Sequence, residues 1–122
     1  MSNRFKRTPR VTPNSNFADN DKLLVHFRKH GSEFRAESPE EYLQIGRHII
    51  GNGIPVEYLY KGEKRIGFVK FMGNKSKTGE AKFGFVGTTQ DGDISTVHVE
   101  SGNSFWKLIN RNPTDQTIRP AP

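Results

Sequence analysis

The sequence predicts an α+β domain in which N-terminal helices pack on a twisted antiparallel sheet of four to five strands. Helical periodicity is confined to the first half of the chain, and alternating strand patterns follow Gly53. Short strands are separated by turn residues, among them Asp91-Gly92, a strong hairpin signal. Helices followed by a run of hairpin-linked strands are typical of the α+β class.

The first helix is predicted over residues 19–30. Leu23, Leu24 and Phe27 recur at helical spacing and form an apolar face. Asp19 or Asn20 can cap the start, and Gly31 suits the C′ position after the last turn.

The second helix has the clearer boundaries. Ser38 is a preferred N-cap, Pro39 suits the first helical position, and Glu41 completes a capping box. Its apolar positions form one buried stripe, and glycines end it at residues 51–53. The stripe consists of Tyr42, Leu43, Ile45, Ile49 and Ile50.

Strands are predicted at residues 56–60, 66–72, 82–87 and 94–100, each rich in β-branched or aromatic residues. The polar segments 61–64 and 90–92 read as hairpin turns, and residues 73–79 form a cationic loop. Residues 104–110 fit either a fifth strand or a short helix.

Composition predicts one domain of residues 17–111 between two loose ends. The chain has 122 residues and a net charge of +6. Four of those charges come from residues 1–16, a segment rich in Pro, Asn, Ser and Thr that reads as a basic disordered arm. Such an arm either contacts nucleic acid or aids solubility. Residues 112–122 read as a loose tail.

Several classes are disfavoured by the residues that are missing. The sequence contains no cysteine, which excludes a disulfide framework and thiolate zinc sites. It contains no apolar run long enough to span a membrane, and its start lacks the apolar core of a signal peptide. No cofactor is indicated.

Histidines and lysines at two places predict acid/base chemistry on a phosphodiester. His26, Lys29 and His30 lie on one predicted helix, and Thr96 and His98 lie on one face of a predicted strand. Metal-free RNA cleavage needs a base, an acid and a cation, which histidine and lysine supply near neutral pH. A helix packed on that strand would bring these groups together.

Other residues are candidates for RNA binding. They are Trp106, which could stack an unpaired base, and the cations Arg28, Lys75 and Lys77. Each has a plainer interpretation: tryptophan more often packs in a core, and the lysine loop lacks the Gly-Lys-Ser/Thr ending of a phosphate loop.

Zinc binding is an alternative use of the two helix histidines. The spacing His26-x3-His30 suits zinc, but Phe27 stands where the zinc proteases have glutamate. A third ligand such as His98 would also be needed, so we favour acid/base chemistry.

Two motifs resemble a known family. Residues 22–34 contain the pattern HFxKHGxxF, followed by Glu41-Tyr42-Leu43, and residues 82–98 contain a hairpin with Asp91-Gly92. The chain is thereby similar, over about residues 20 to 110, to the C-terminal toxin domains of bacterial contact-dependent inhibition systems and to colicin D-like tRNase domains.

The resemblance implies a barnase/EndoU/colicin/RelE-like fold and a metal-independent ribonuclease that cleaves tRNA. It assigns proton transfer to His30 beside Lys29, phosphate contact to Thr96, and a place in the site to His98. Arg35 stands where the family often has glycine, His98 replaces a larger aromatic residue, and the loop at 73–79 is long.

We therefore predict a tRNase toxin that forms a 2′,3′-cyclic phosphate. In this hypothesis His30 is the general base or acid, and His26 or His98 is its partner. Lys29 is the stabilising cation, and Thr96 positions the phosphate. The toxin would be secreted within a larger effector and delivered to the cytoplasm of target bacteria.

Its partners would be tRNA and a cognate acidic immunity protein, the chain being a monomer or a heterodimer with that protein. A non-catalytic RNA-binding module and a structural or adaptor domain are the alternatives.

Overall fold

The structure, a computed structural model, describes residues 11–118 and residue 121. Helices α1 (Asn20–His30) and α2 (Pro39–Asn52) precede strands β1 (Ile54–Tyr60), β2 (Glu63–Asn74), β3 (Ala81–Thr88) and β4 (Ile94–Ser101), and helix α3 (Gly102–Asn110) follows. The strands form one antiparallel sheet in the order β1-β2-β3-β4. The predicted α+β class is confirmed, and the segment that fitted a strand or a helix is helix α3.

Helix α1 begins as predicted but ends differently. The Asp19 side chain accepts a hydrogen bond from the Lys22 N–H at 2.9 Å. Gly31, expected as a left-handed C′ residue, instead has φ −57° and continues into a 3₁₀ turn, Gly31–Phe34. The left-handed residue is Arg35, with φ 57°. Gly31 is required for space, because a Cβ there would lie 2.7 Å from the Phe27 ring.

Helix α2 has the predicted cap with one change of partner. The Ser38 hydroxyl accepts from the Glu41 N–H at 3.1 Å, as in a capping box. The Glu41 carboxylate accepts from the N–H of Glu37 rather than that of Ser38, at 2.6 Å. Both bonds satisfy N–H groups at the helix start, where no intrahelical acceptor exists.

The hairpins set the register of the sheet. Lys61 and Gly62 both have positive φ, 51° and 81°, as the two central residues of a type I′ turn require. This two-residue turn pairs Tyr60 with Glu63 and Tyr58 with Arg65. The β3–β4 pairing shifts between Gly87–Thr96 and Thr88–Ile94, which leaves Ser95 in a β-bulge.

Apolar side chains pack on both faces of the sheet. One cluster joins Tyr42 and Ile49 of α2 to Phe68, Val86 and Val97. The other joins Phe105 and Ile109 of α3 to buried residues of the first three strands. Those strand residues are Val56, Tyr58, Val69 and Phe85. Helix α1 packs against the edge strand β4.

The two segments expected to be loose make specific contacts where the structure describes them. Arg47 donates to the Ser15 carbonyl at 3.0 Å and to the Asn16 side chain at 2.5 Å. The Asn110 amide donates to the Asp115 and Thr117 carbonyls, and Ile118 packs on the second cluster. Residues 1–10, the rest of the expected arm, lie outside the described residues.

Within the described part of the chain, none of the helices combines the length and the apolar character needed to cross a membrane.

Candidate functional site

A cleft of about 480 Å³ lies where α1 meets the edge of the sheet. Its walls come from three parts of the chain: the C-terminal half of α1, strand β4, and the β1–β2 hairpin. The polar lining residues are His26, Lys29, His30, Tyr58, Tyr60, Arg65, Ser95, Thr96, His98 and Glu100. Phe85 and Leu108 add apolar surface.

His30 is fixed by Glu33, which also reaches the sheet. The His30 Nδ1 atom lies 2.8 Å from Glu33 Oε2, and the histidine side chain is only 16% exposed. The second carboxylate oxygen of Glu33 accepts the Val99 N–H of β4 at 2.8 Å. Glu33 therefore holds the end of α1 to β4 and orients the imidazole in the same contact.

Strand β4 presents a row of three polar side chains on one face. Residues 96, 98 and 100 share this face because strand side chains alternate. Thr96 Oγ1 lies 3.0 Å from His98 Nδ1, and His98 Nε2 lies 2.6 Å from Glu100 Oε2. Both nitrogens of His98 are thus engaged, and its side chain is 18% exposed.

His30 of α1 and His98 of β4 face each other across the cleft. The ring centroids of His30 and His98 are 5.2 Å apart. Each imidazole has its own carboxylate partner, Glu33 for His30 and Glu100 for His98. The predicted approach of the helix histidine to the Thr96–His98 strand is therefore present in the structure.

His26 has a different environment. Its ring stacks between Phe17, at 5.4 Å, and His30, at 6.1 Å. Its Nδ1 atom is buried without a hydrogen-bond partner. Burial, and then electrostatic repulsion from His30 and Lys29, hold the pKa of His26 below its usual value. Of the two partners predicted for His30, His98 is the one with hydrogen bonds that orient it.

Two cations border the cleft. Lys29 is exposed at the rim. On the hairpin wall, Arg65 donates to Glu63 at 2.6 Å, and its guanidinium lies 4.7 Å from the centre of the Tyr60 ring.

Tyr58 forms part of the cleft floor. A Cβ at Gly87 would lie 2.6 Å from the Tyr58 hydroxyl, so glycine leaves the room that the phenol occupies. Burial raises the pKa of Tyr58, while the nearby Arg65 charge and contacts with Ser95 and Arg65 partly oppose that rise.

The residues predicted to bind RNA lie elsewhere. Trp106 packs edge-on against Phe83 and Phe105, with ring centroids 6.0 and 4.9 Å away. Lys75 pairs with Glu80 at 3.8 Å in the β2–β3 loop, where Lys77 is exposed. Arg28 is exposed on α1. None of these four lines the cleft.

Three residues of the cleft and its supports were not predicted from the sequence: Glu33, Arg65 and Glu100. Two of them had a detectable signal: Glu33 follows His30 by three residues, and Glu100 follows His98 by two, which places each on the face of its histidine. Arg65 had none, since its position depends on the hairpin register that sets it opposite Tyr58.

The zinc alternative lacks support from side-chain placement. Among residues 11–118 and 121, no three His, Cys, Asp or Glu side chains are grouped so as to hold a metal ion.

Comparison of the chain with protein-family models, with curated proteins and with solved structures finds no match.

Proposed function

We propose that this protein is a metal-independent endoribonuclease and that the cleft between α1 and β4 is its active site. The observation that supports this most strongly is the pair of imidazoles, His30 and His98, 5.2 Å apart and each hydrogen-bonded to a carboxylate. Cleavage of RNA at its 2′-hydroxyl needs one group to take a proton and another to give one, which two such histidines can supply.

In this mechanism His30 is the base. We assign the Nδ1 proton to the bond with Glu33, which leaves the lone pair of Nε2 for the 2′-hydroxyl. The 2′-oxygen attacks the phosphorus, and the Glu33 carboxylate stabilises the imidazolium that forms. Glu33 has the orienting role of the carboxylate in a catalytic triad.

His98 is the acid. Protonated at both nitrogens, it donates from Nε2 to Glu100 and directs Nδ1–H toward Thr96 and the cleft. Its proton passes to the departing 5′-oxygen, so the products are a 2′,3′-cyclic phosphate and a free 5′-hydroxyl. Thr96 holds a phosphate oxygen, and Lys29 offsets the charge that builds up on the phosphoryl group.

The substrate and the biological role rest on the resemblance of residues 22–34 and 82–98. It supports tRNA as the RNA and a toxin role inside target bacteria, reached by delivery within a larger secreted effector. An acidic immunity protein would complement a cleft bordered by Lys29.

The direct test is incubation of the purified protein with total tRNA in EDTA. We expect defined fragments with cyclic phosphate ends, a loss of at least 100-fold in rate for His30→Ala or His98→Ala, and little change for His48→Ala. His48 is a matched control because it is exposed on α2 and does not line the cleft.

Two outcomes would contradict the proposal. Salt-sensitive tRNA binding without strand scission would indicate a non-catalytic RNA-binding module. Absence of both RNA binding and toxicity on expression would favour a structural or adaptor domain.

A further inference from the structure

The hairpin wall opposite the histidines carries a guanidinium with no part in the mechanism above. Arg65 lies on β2 and Tyr60 on β1, and both line the same cleft as His30 and His98. Tyr60 is 45% exposed, which is high for a large aromatic side chain. A cation and an exposed ring at the edge of a nucleic-acid cleft are what base stacking uses.

Arg65 is held in one orientation from several sides. Its Nε atom donates to Glu63 at 2.6 Å, and the guanidinium lies over Tyr60 at 4.7 Å. The Tyr58 hydroxyl contacts the same side chain. The Arg65 side chain is only 18% exposed, so little conformational freedom is left for a ligand to remove.

These contacts use one face and part of the edge of the guanidinium. Arg65 also lines the cleft with the small part of its side chain that stays exposed, and Tyr58, Phe85 and Leu108 supply apolar surface in the same cleft. The Tyr60 ring already has two cations over it. One is the Arg65 guanidinium, and the other is the Lys61 ammonium, 5.3 Å from the ring centre. An incoming base therefore finds its stacking partner in Arg65.

We propose that Arg65, supported by Tyr60 and Glu63, forms a subsite that stacks a purine base next to the scissile phosphate. This inference rests on the proposed function, which places the phosphate between His30 and His98. A cleft of about 480 Å³ lies within the range of roughly 300 to 1,000 Å³ that small-ligand sites occupy. A purine offers more stacking area than a pyrimidine, so the subsite prefers purines.

The negative charge of Glu63 favours a neutral base over a second phosphate beside Arg65. Glu63 lies within direct hydrogen-bond distance of Arg65 and neutralises much of its charge. A phosphate there would meet the Glu63 carboxylate at short range. A stacked base, being neutral, meets no such repulsion and still gains from the guanidinium plane.

The test measures binding of DNA tetranucleotides, which lack the 2′-hydroxyl and cannot be cleaved by this mechanism. Wild-type protein is titrated by NMR with tetradeoxyadenylate, with tetradeoxycytidylate and with inorganic phosphate. We expect tighter binding of the adenine tetramer and a loss of about tenfold for that tetramer in Arg65→Lys, because lysine keeps the charge but lacks the plane. Binding of inorganic phosphate should not change.

Tyr60→Leu is the second variant and should weaken adenine binding while leaving Arg65 paired with Glu63. Lys64→Gln is the matched control, since Lys64 neighbours Arg65 on β2 but lies outside the cleft. Melting temperatures within a few degrees of wild type show that each variant is folded.

The outcomes separate the subsite from the proposed function. Equal binding of both tetramers by wild type, or unchanged adenine binding in Arg65→Lys, would overturn the subsite even if the protein cleaves RNA. An equal loss of phosphate binding in Arg65→Lys would make Arg65 a phosphate ligand and also overturn it. Purine-selective binding that depends on Arg65, in a protein that cuts no RNA, would support the subsite and reject the ribonuclease.

Discussion

Glu33 connects the two walls of the cleft through one carboxylate. One oxygen binds His30 and the other binds the backbone of β4, so the position of the imidazole relative to His98 depends on this side chain. A carboxylate also fixes which nitrogen of His30 carries the proton. In the proposed mechanism both effects act on His30, the base.

We predict that Glu33→Gln lowers the kcat for RNA cleavage on the order of 100-fold and leaves KM nearly unchanged. The amide can donate to Nδ1, which would move the proton to Nε2 and remove the base. Steady-state kinetics on tRNA measure this, with Glu37→Gln, an exposed neighbour outside the cleft, as control. A KM increase at constant kcat would instead make Glu33 a substrate-binding residue.

Arg35, which ends the 3₁₀ turn, has a backbone conformation that is unfavourable for a residue with a Cβ. Its φ of 57° lies in the left-handed region, which disfavours residues with a Cβ by about 1 kcal/mol or more. Glycine adopts this conformation freely, although it also gains entropy in the unfolded chain.

We therefore predict that Arg35→Gly raises the free energy of unfolding by up to about 1 kcal/mol, measured by urea denaturation. Arg35→Ala is the control, since it removes the same side chain but keeps the Cβ. If the two variants were equally stable, the backbone explanation would be wrong.

At the scale of elements, the middle of the sheet depends on close packing around Gly67 on β2. A Cβ there would lie 2.6 Å from the Phe85 ring and 3.2 Å from Tyr58. Because both rings border the cleft, a larger residue at this position changes the floor of the site and the second apolar cluster together.

Gly67→Ala should destabilise the protein by about 1 to 3 kcal/mol, the usual cost of overpacking. Gly51→Ala is a suitable comparison, because its new Cβ would lie 3.4 Å from Pro13 at the end of α2, where alanine favours the helix. Thermal unfolding of both variants measures the difference, and a neutral Gly67→Ala would show that Phe85 moves freely.

At the scale of the whole molecule, stability should depend on pH through His26. Its folded pKa is lowered by burial and by the charges of His30, Lys29, His98 and Lys22. The unfolded chain therefore binds a proton more readily, so His26 destabilises the fold increasingly as pH falls through its unfolded value of about 6.5.

We predict that His26→Gln reduces the loss of stability between about pH 7 and pH 5 relative to wild type. Urea denaturation at several pH values gives the difference directly, and His48→Gln shows what removal of an exposed histidine does. A difference between wild type and His26→Gln that stays constant with pH would contradict the assignment.

Local sequence signals determined most of the secondary structure of this protein. The cap at Ser38, the alternating strands and the turn residues act over a few positions, so the sequence predicts α1, α2 and all four strands. The first turn, predicted at 61–64, consists of Lys61 and Gly62 alone, and β2 begins at Glu63. It also predicts that His26, Lys29 and His30 share a helix and that Thr96 and His98 share a strand face. These conclusions need only the periodicities of helix and strand.

Tertiary structure decided which of those residues meet. The cleft forms because α1 packs along the edge strand β4, and Arg65 reaches it because the hairpin register sets it opposite Tyr58. Trp106 is directed into the second apolar cluster because its segment is a helix packed on the sheet. Which side chains face one another depends on long-range packing, and no local pattern encodes the distance between two elements.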